Sequence, residues 1–375
     1  MRNRIRLGMV GGGQGAFIGA VHRIAAGMDD QFELIAGALS SNAERARASA
    51  TELGLDPDRS YSDFRVMAET EGSRPDGIEA VSIVTPNHMH ADPIIAFLEE
   101  GIHVISDKPL ASTMEDAKRI EAAVAASKAR FVLTHNYTGY PLIRHAKRII
   151  DAGEIGAVRV VQVEYAQDWL AEPLEASGNK QATWRTDPAK SGAGGAIGDI
   201  GTHAFNLLSF VTGLKIQALA ADLHSFVEGR QLDDNAHIML RLEGGAKGMI
   251  WASQVAVGCE NGLRLRIFGD TGSLEWAQEN PNELHFSTLG KPRQVLTRGG
   301  NGLGELAAHW TRIPPGHPEG YLEGFANIYN DAAKLIRGDA LDVSLPGIND
   351  GMSGMAFIDA CISSSASDGG WVTFP

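Results

Sequence analysis

Through the first third of the chain, short apolar runs alternate with stretches whose apolar residues recur at three-and-four spacing. That rhythm predicts βαβ units on a parallel sheet. The runs at residues 5–10, 33–39, 80–84, 102–105 and 131–134 read as strands, and residues 43–53, 93–100 and 114–127 as helices. Ser112 or Thr113 can cap the last of these, with Glu115 and Asp116 on its positive N-terminal end. Beyond about residue 130 the pattern changes. A helical stretch at 142–151 leads into long alternating segments at 158–165, 218–227, 237–242, 249–257 and 263–268, joined in places by turns such as Glu243-Gly244-Gly245 and Gly269-Asp270-Thr271-Gly272. This predicts an antiparallel sheet. Helical periodicity returns at 321–336 and 351–364, and there is no fixed-period repeat.

The chain of 375 residues exceeds what one hydrophobic core normally supports, so two domains are expected, 1–134 and 135–375. The fold class read from these patterns is α/β: a doubly wound parallel sheet followed by helices and a mostly antiparallel sheet.

The turn after the first strand reads Gly11-Gly12-Gly13-Gln14-Gly15. Gly11, Gly13 and Gly15 let the backbone turn tightly and approach a pyrophosphate, whose charge then rests on the next helix N-terminus; Gln14 lies within the same loop. A carboxylate at the end of the second strand would bind the adenosine ribose and select NAD. Here the sequence is Ala38-Leu39-Ser40-Ser41-Asn42 with Arg45 a turn later, which leaves room for a 2′-phosphate held by Ser40, Ser41 and Arg45. Alternatively Asn42 or Ser41 simply caps the helix. The cofactor is read as NAD or NADP.

Ligands of an open parallel sheet bind beyond the carboxyl ends of its strands. Thr85-Pro86-Asn87-His88-Met89-His90 and Asp107-Lys108-Pro109 both occupy such ends. Lys108 is placed to exchange a proton with a substrate hydroxyl while hydride leaves the carbinol carbon. Asp199 and His203, four apart, share one face of a helix beginning near Gly198, and the approach Ser191-Gly192-Ala193-Gly194-Gly195 lets that end come close to a ligand. His203 can take the hydroxyl proton while Asp199 holds substrate or orients the ring. Two such ligands lack partners at zinc-site spacing, so no metal is expected.

The formal net charge of -13 disfavours nucleic acid or an anionic membrane as partner. Cys259 and Cys361, the two cysteines, encode neither a disulfide framework nor a zinc knuckle. Arg2, Arg4 and Arg6 precede an apolar run that ends in glycines rather than a cleavage site, and no window approaches the roughly 20 apolar residues of a membrane span. A cytoplasmic location is expected.

These residues together resemble the Gfo/Idh/MocA oxidoreductases, which include glucose-fructose oxidoreductases and inositol dehydrogenases. The resemblance covers nearly the whole chain. It rests on the glycine turn followed by His22, Thr85-Pro86-Asn87 with His90, Asp107-Lys108-Pro109, Asn136-Tyr137, Trp184-Arg185, and Gly194-Gly195 leading to Asp199 and His203. It implies that Lys108 is the catalytic lysine, Pro109 the proline fixing its turn, His203 the acid/base histidine, and Asp199 the carboxylate that holds substrate. Asn136 is placed with the cofactor-binding residues. It also implies an N-terminal Rossmann domain plus a C-terminal α/β domain with a large, open, mostly antiparallel sheet, and a homodimer or homotetramer formed through that sheet's exposed face. Two departures stand out: the phosphate loop is about three residues longer before Gly19-Ala20-Val21-His22, and Asp107 replaces the commoner glutamate.

Tyr165, Gln167, Asp168 and Trp169, with Trp184-Arg185, offer donors and aromatic faces for a polyhydroxylated ring. His317 and Tyr321, in Gly316-His317-Pro318-Glu319-Gly320-Tyr321, are further candidates. The resulting expectation is reversible NAD(P)-linked oxidation of a secondary hydroxyl on a sugar, glycoside or cyclitol. A redox-neutral glycosidase using NAD transiently, or a non-catalytic nucleotide- and sugar-binding sensor, are the alternatives.

Overall fold

The structure, a computed structural model, describes residues 3–303 and 309–375. The chain forms two compact units, Met1–Asn136 with Leu322–Met352, and Tyr137–Tyr321 with Ser353–Pro375. The first break falls two residues beyond the expected 134, and the segment 322–352 belongs with the first unit rather than with the rest of 135–375. Packing explains this return. Phe325 and Tyr329 lie against His22 at ring-centroid distances of 5.1 and 5.8 Å, and the Leu133 N–H donates to Pro346 O at 2.9 Å.

In the first unit, β1 (Ile5–Gly11), β2 (Phe32–Ala38), β3 (Ala80–Val84), β4 (His103–Ser106) and β5 (Phe131–Leu133) form one parallel sheet of order β2-β1-β3-β4-β5. Every residue of β3 is buried, as a parallel strand covered on both faces requires. The connecting helices are α1 (Phe17–Met28), α2 (Ala43–Glu52), α3 (Phe64–Ser73), α4 (Ala91–Glu99) and α5 (Met114–Ala126). Thr113 caps α5 by accepting from the Asp116 N–H. The apolar pattern does not announce α3, which buries only Met67, Ala68 and Glu71.

Beyond β2 the sheet is extended by a single parallel bridge. Ser60 pairs with Gly37, and the Tyr61 N–H donates to Gly37 O at 2.9 Å. Strand order therefore reverses between β1 and β3, the switch point at which open α/β sheets bind ligands.

The second unit opens with α6 (Pro141–Asp151) and β6 (Val158–Ala166), followed by the short helices α7 (Lys180–Arg185) and α8 (Pro188–Ser191), a π-helical turn at Ile197–Gly201, and α9 (Thr202–Thr212). The remaining strands are β7 (Ile216–His224), β8 (Asn235–Leu242), β9 (Lys247–Ser253), β10 (Gly262–Gly269), β11 (Gly272–Ala277), β12 (Glu283–Thr288), β13 (Gln294–Thr297) and β14 (Val372–Thr373). With β6 they build a nine-stranded sheet of order β13-β12-β11-β10-β6-β9-β8-β7-β14. Every pairing is antiparallel except β6 with β9.

The alternation of β8 buries Ala236, Ile238, Leu240 and Leu242 against Leu207, Leu208 and Val211 of α9 in one core. β7 and β9 stop short of the expected 227 and 257. Residues 254 and 256 donate their backbone N–H groups to Asp234 O and Gln167 O outside the ladder. Two further helices, α10 (Tyr321–Arg337) and α11 (Ile348–Ala366), match the helical tail.

Candidate functional site

The phosphate loop is built by glycines that have no substitute there. Gly11, Gly12 and Gly15 have φ of 80°, 71° and 75°, the left-handed region that favours glycine. A Cβ on Gly13 would stand 2.6 Å from Leu39 O, and one on Gly19 would stand 2.4 Å from the Gly12 Cα. The glycines that bring helix and strand together are therefore Gly12 and Gly19, not part of the expected Gly11, Gly13 and Gly15 set. Helix α1 starts after Ala16 with no side-chain cap, so its first N–H groups remain for an anionic ligand. The Gln14 N–H donates to Ser49 Oγ at 3.1 Å, and its side chain to Glu52.

At the end of β2, Asn42 caps α2 by accepting from the Arg45 N–H at 3.0 Å, as the capping alternative expects. Ser40 Oγ accepts from the Asn42 N–H at 3.2 Å, while Ser41 and Arg45 are exposed.

The carboxyl ends of β3 and β4 are tied together by one imidazole. His90, fully buried, places Nδ1 2.8 Å from Pro109 O and Nε2 2.9 Å from Thr85 O. Burial lowers its proton affinity. It braces the loops of Thr85-Pro86-Asn87 and Lys108-Pro109 rather than presenting a free edge to a cofactor. Thr85 Oγ1 donates to Met89 O, Asn87 is buried, and the Lys108–Pro109 peptide bond is cis.

Asp107 Oδ1 accepts from the Lys108 N–H at 3.0 Å and from Thr134 Oγ1 at 3.1 Å, and faces His22 Nε2 at 3.9 Å. Burial pushes this carboxyl up, but the His22 ring, with Lys108 and His90, outweighs it and holds the acid below the usual carboxylate range. Burial and Lys108 push His135 down to about 3. Asn136, three residues beyond β5, is buried with a side-chain Nδ2 that has no protein partner.

The second unit holds its candidates on the π turn. Asp233 accepts from the Gly195 and Ile197 N–H groups at 2.7 and 2.8 Å, and its own carbonyl accepts from the Ala196 N–H. Burial raises its carboxyl to about 6. A Cβ on Gly195 would stand 2.0 Å from Asp233 O, so this approach requires glycine. Asp199 lies inside the π turn and His203 in α9, so their four-residue spacing spans a widened turn rather than one regular α-helical face.

Asp199 Oδ2 accepts from Gln254 Nε2 at 2.9 Å and pairs with Arg185 Nε at 3.3 Å. The Arg185 guanidinium stacks 4.3 Å from the Trp184 ring centre and 5.9 Å from that of Trp169. Of the expected substrate residues, the structure thus gathers Trp169, Trp184, Arg185 and Asp199. His203 packs edge-on to Tyr137 at 4.9 Å and lies 6.1 Å from the Tyr165 ring.

Tyr165 differs from the expected substrate donor. Its hydroxyl stands 2.6 Å from Tyr137 Oη and donates to Asn261 Oδ1 at 2.7 Å, and burial raises its pKa well above the ordinary tyrosine value. It is a buried wall behind His203, with Tyr321 near enough to add to the same upward shift. Asp168 Oδ2 accepts from the Gly258 N–H. His317 is exposed, and its carbonyl is bound by Arg298 rather than joined to the Asp199 group. Sequence reading missed Gln254 and Asp233 as site builders, and marked Tyr137 only as part of the family resemblance.

Fold and site define a class: an α/β oxidoreductase with a dinucleotide-binding Rossmann unit and a sheet unit carrying an acid and a histidine on one helix start. The oxidoreductase-family model for an NAD-binding Rossmann fold matches residues 5–145, and the GFO/IDH/MocA C-terminal domain model matches 143–275. The chain belongs to the Gfo/Idh/MocA oxidoreductase family.

An oxidoreductase structure from Sinorhizobium meliloti is 56% identical with a TM-score of 0.91, covering 99% of this chain and 100% of that one. An inositol dehydrogenase homolog from Azotobacter vinelandii, complexed with NADH and myo-inositol, is 37% identical with a TM-score of 0.90, covering 100% and 98%. Levoglucosan dehydrogenase of Pseudarthrobacter phenanthrenivorans is 30% identical over 99% of this chain and 98% of its own length. The chain is accordingly an NAD(P)-dependent dehydrogenase of CH–OH groups. Among the described residues no helix is long and apolar enough to cross a membrane.

Proposed function

We propose that this chain interconverts a secondary alcohol and a ketone on a sugar, glycoside or cyclitol. The observation carrying this reading is Lys108 at the carboxyl edge of the parallel sheet, on a turn whose backbone is pinned by the Asp107 carboxylate. The nicotinamide supplies the hydride acceptor when bound. The α1 N-terminus and the loop glycines would hold its pyrophosphate, with Asn136 Nδ2 a further donor. Lys108 and His203 manage the hydroxyl proton, and Asp199, kept in place by Gln254 and Arg185, accepts a hydrogen bond from a neighbouring substrate hydroxyl. Trp169 and Trp184 add apolar faces suited to the C–H face of a pyranose or cyclitol.

NADH in the Azotobacter homolog favours NAD. The exposed Ser41 and Arg45 favour room for NADP. The outer face of the nine-stranded sheet, where Met239 and Met249 pair side by side and are 57% and 43% exposed, is the surface for a homodimer or homotetramer.

The test is to incubate the protein with inositols, levoglucosan, pyranoses and glycosides, each with NAD or NADP, while following reduced nicotinamide and released sugar. Accumulation of reduced cofactor with one substrate is expected. Sugar release without it would replace this reading with a redox-neutral glycosidase, and tight nucleotide binding without turnover of any probe would favour a sensor.

A further inference from the structure

Behind the Lys108 turn runs a line of buried polar groups drawn from distant parts of the first unit. Ser82 Oγ on β3 stands 2.6 Å from Tyr329 Oη on α10, and Tyr329 Oη stands 2.8 Å from His22 Nδ1 on α1. The other ring nitrogen of His22 faces Asp107 Oδ1, the atom that accepts from the Lys108 backbone N–H. Ser82 and His22 have no exposed surface, and Tyr329 is 1% exposed.

The direction of the protons follows from the carboxylate at one end. Asp107 Oδ1 accepts from the Lys108 N–H and from Thr134 Oγ1, as a carboxylate does, so a bare lone pair on His22 Nε2 would face negative charge. Nε2 must carry a proton in either charge state of the ring. In the neutral ring Nδ1 is then an acceptor, to which the Tyr329 hydroxyl donates. Tyr329, having donated, receives from Ser82. With the ring neutral, each hydroxyl gives its one proton toward Asp107.

We propose that Ser82, Tyr329 and His22 are positioning residues that fix the Asp107 carboxylate and through it the backbone of Lys108. Asp107 binds the Lys108 N–H and Thr134 on one side, and His22 Nε2, which has no hydrogen-bond partner, faces it from the other at 3.9 Å, an ion-pair rather than a hydrogen-bond distance. Cutting the line lets the carboxylate turn, and the lysine loses its aim. This inference rests on the proposed role of Lys108. It also gives the shorter acid a purpose: it keeps the carboxylate on its own backbone turn, within ion-pair distance of His22.

The experiment has two arms. In the first, protein labelled with ¹⁵N at histidine is examined by NMR, the His22 signal being assigned by its loss in His22→Gln. A protonated Nε2 and an acceptor Nδ1 are expected in the wild type, with the tautomer preference lost in Tyr329→Phe. A bare Nε2 overturns the inference, with no need of a substrate. In the second arm, kcat, NADH affinity and melting temperature are measured for His22→Leu, His22→Gln, Tyr329→Phe and Lys108→Met.

Tyr329→Phe and His22→Leu are expected to lower kcat about 10- to 100-fold with NADH affinity unchanged. His22→Gln, whose amide N–H can replace the Nε2 donor, should recover part of the loss. Unchanged kcat in both Tyr329→Phe and His22→Leu, or loss that tracks melting temperature with no recovery by glutamine, overturns the positioning role. An active Lys108→Met overturns the reading beneath it instead.

Discussion

Two buried histidines make the fold sensitive to acid. His135 at the end of β5 and His145 on α6 are held near 3 and 4 by burial, each with a cation nearby, Lys108 and Arg148 respectively. Both folded values lie below the ordinary histidine pKa of about 6.5, so between those limits the unfolded chain binds the proton and the native chain does not. Stability from these groups is full above about pH 6.5 and falls as pH drops, with a limiting slope of about 1.4 kcal/mol per pH unit for each. Urea midpoints are expected to fall between pH 7.5 and pH 4.5, and His145→Gln should flatten the dependence. A parallel curve in that variant would remove His145 from the account. At this scale the sequence marks candidates where chemistry is unusual for its place, as with Lys108, Asp199 and the loop glycines. It is silent on Gln254 and Tyr329, because an ordinary amide and phenol acquire their roles only from partners 55 and 307 residues away, Asp199 and His22.

Helix α1 shows how one element can carry opposite demands on the same residue type. Gly19 faces Gly12 so closely that an added methyl would meet backbone at 2.4 Å, whereas Gly27 has nothing within 4 Å of its Cβ position. Gly19→Ala is expected to destabilise the protein by about 1 to 3 kcal/mol, as overpacking does, and to weaken NADH binding. Gly27→Ala should stabilise it by up to about 1 kcal/mol through helix propensity. Equal thermal shifts for the two, measured by calorimetry, would contradict the packing assigned to Gly12 and Gly19. Strongly periodic elements such as α5 and β8 follow directly from the sequence. The bridge at Ser60 does not, because a strand reduced to one residue pair leaves no alternation to read. The π turn is equally hidden: the Gly195 and Ile197 amides at its entry are held by Asp233, 36 to 38 positions away.

For the whole molecule, the two-unit plan and the sheet types are visible in the change of periodicity, but the return of residues 322–352 to the first unit is not. A helical pattern states which face is apolar and not which core receives it. The outer sheet face carries the remaining large-scale prediction. Met239→Asp is expected to lower the oligomeric state seen by light scattering without lowering the unfolding midpoint; an unchanged assembly would place the interface elsewhere. The central claim, hydride transfer between a nicotinamide and a carbohydrate carbinol in this chain, is tested most directly with isotope. Candidate sugars and cyclitols deuterated at their carbinol carbons are incubated with the protein and NAD or NADP, and the reduced cofactor is analysed by mass spectrometry. Deuterium in the reduced cofactor with wild type, and its absence with Lys108→Met, is the predicted result. Turnover of a substrate that leaves no deuterium in the cofactor, or full transfer by Lys108→Met, would contradict the account.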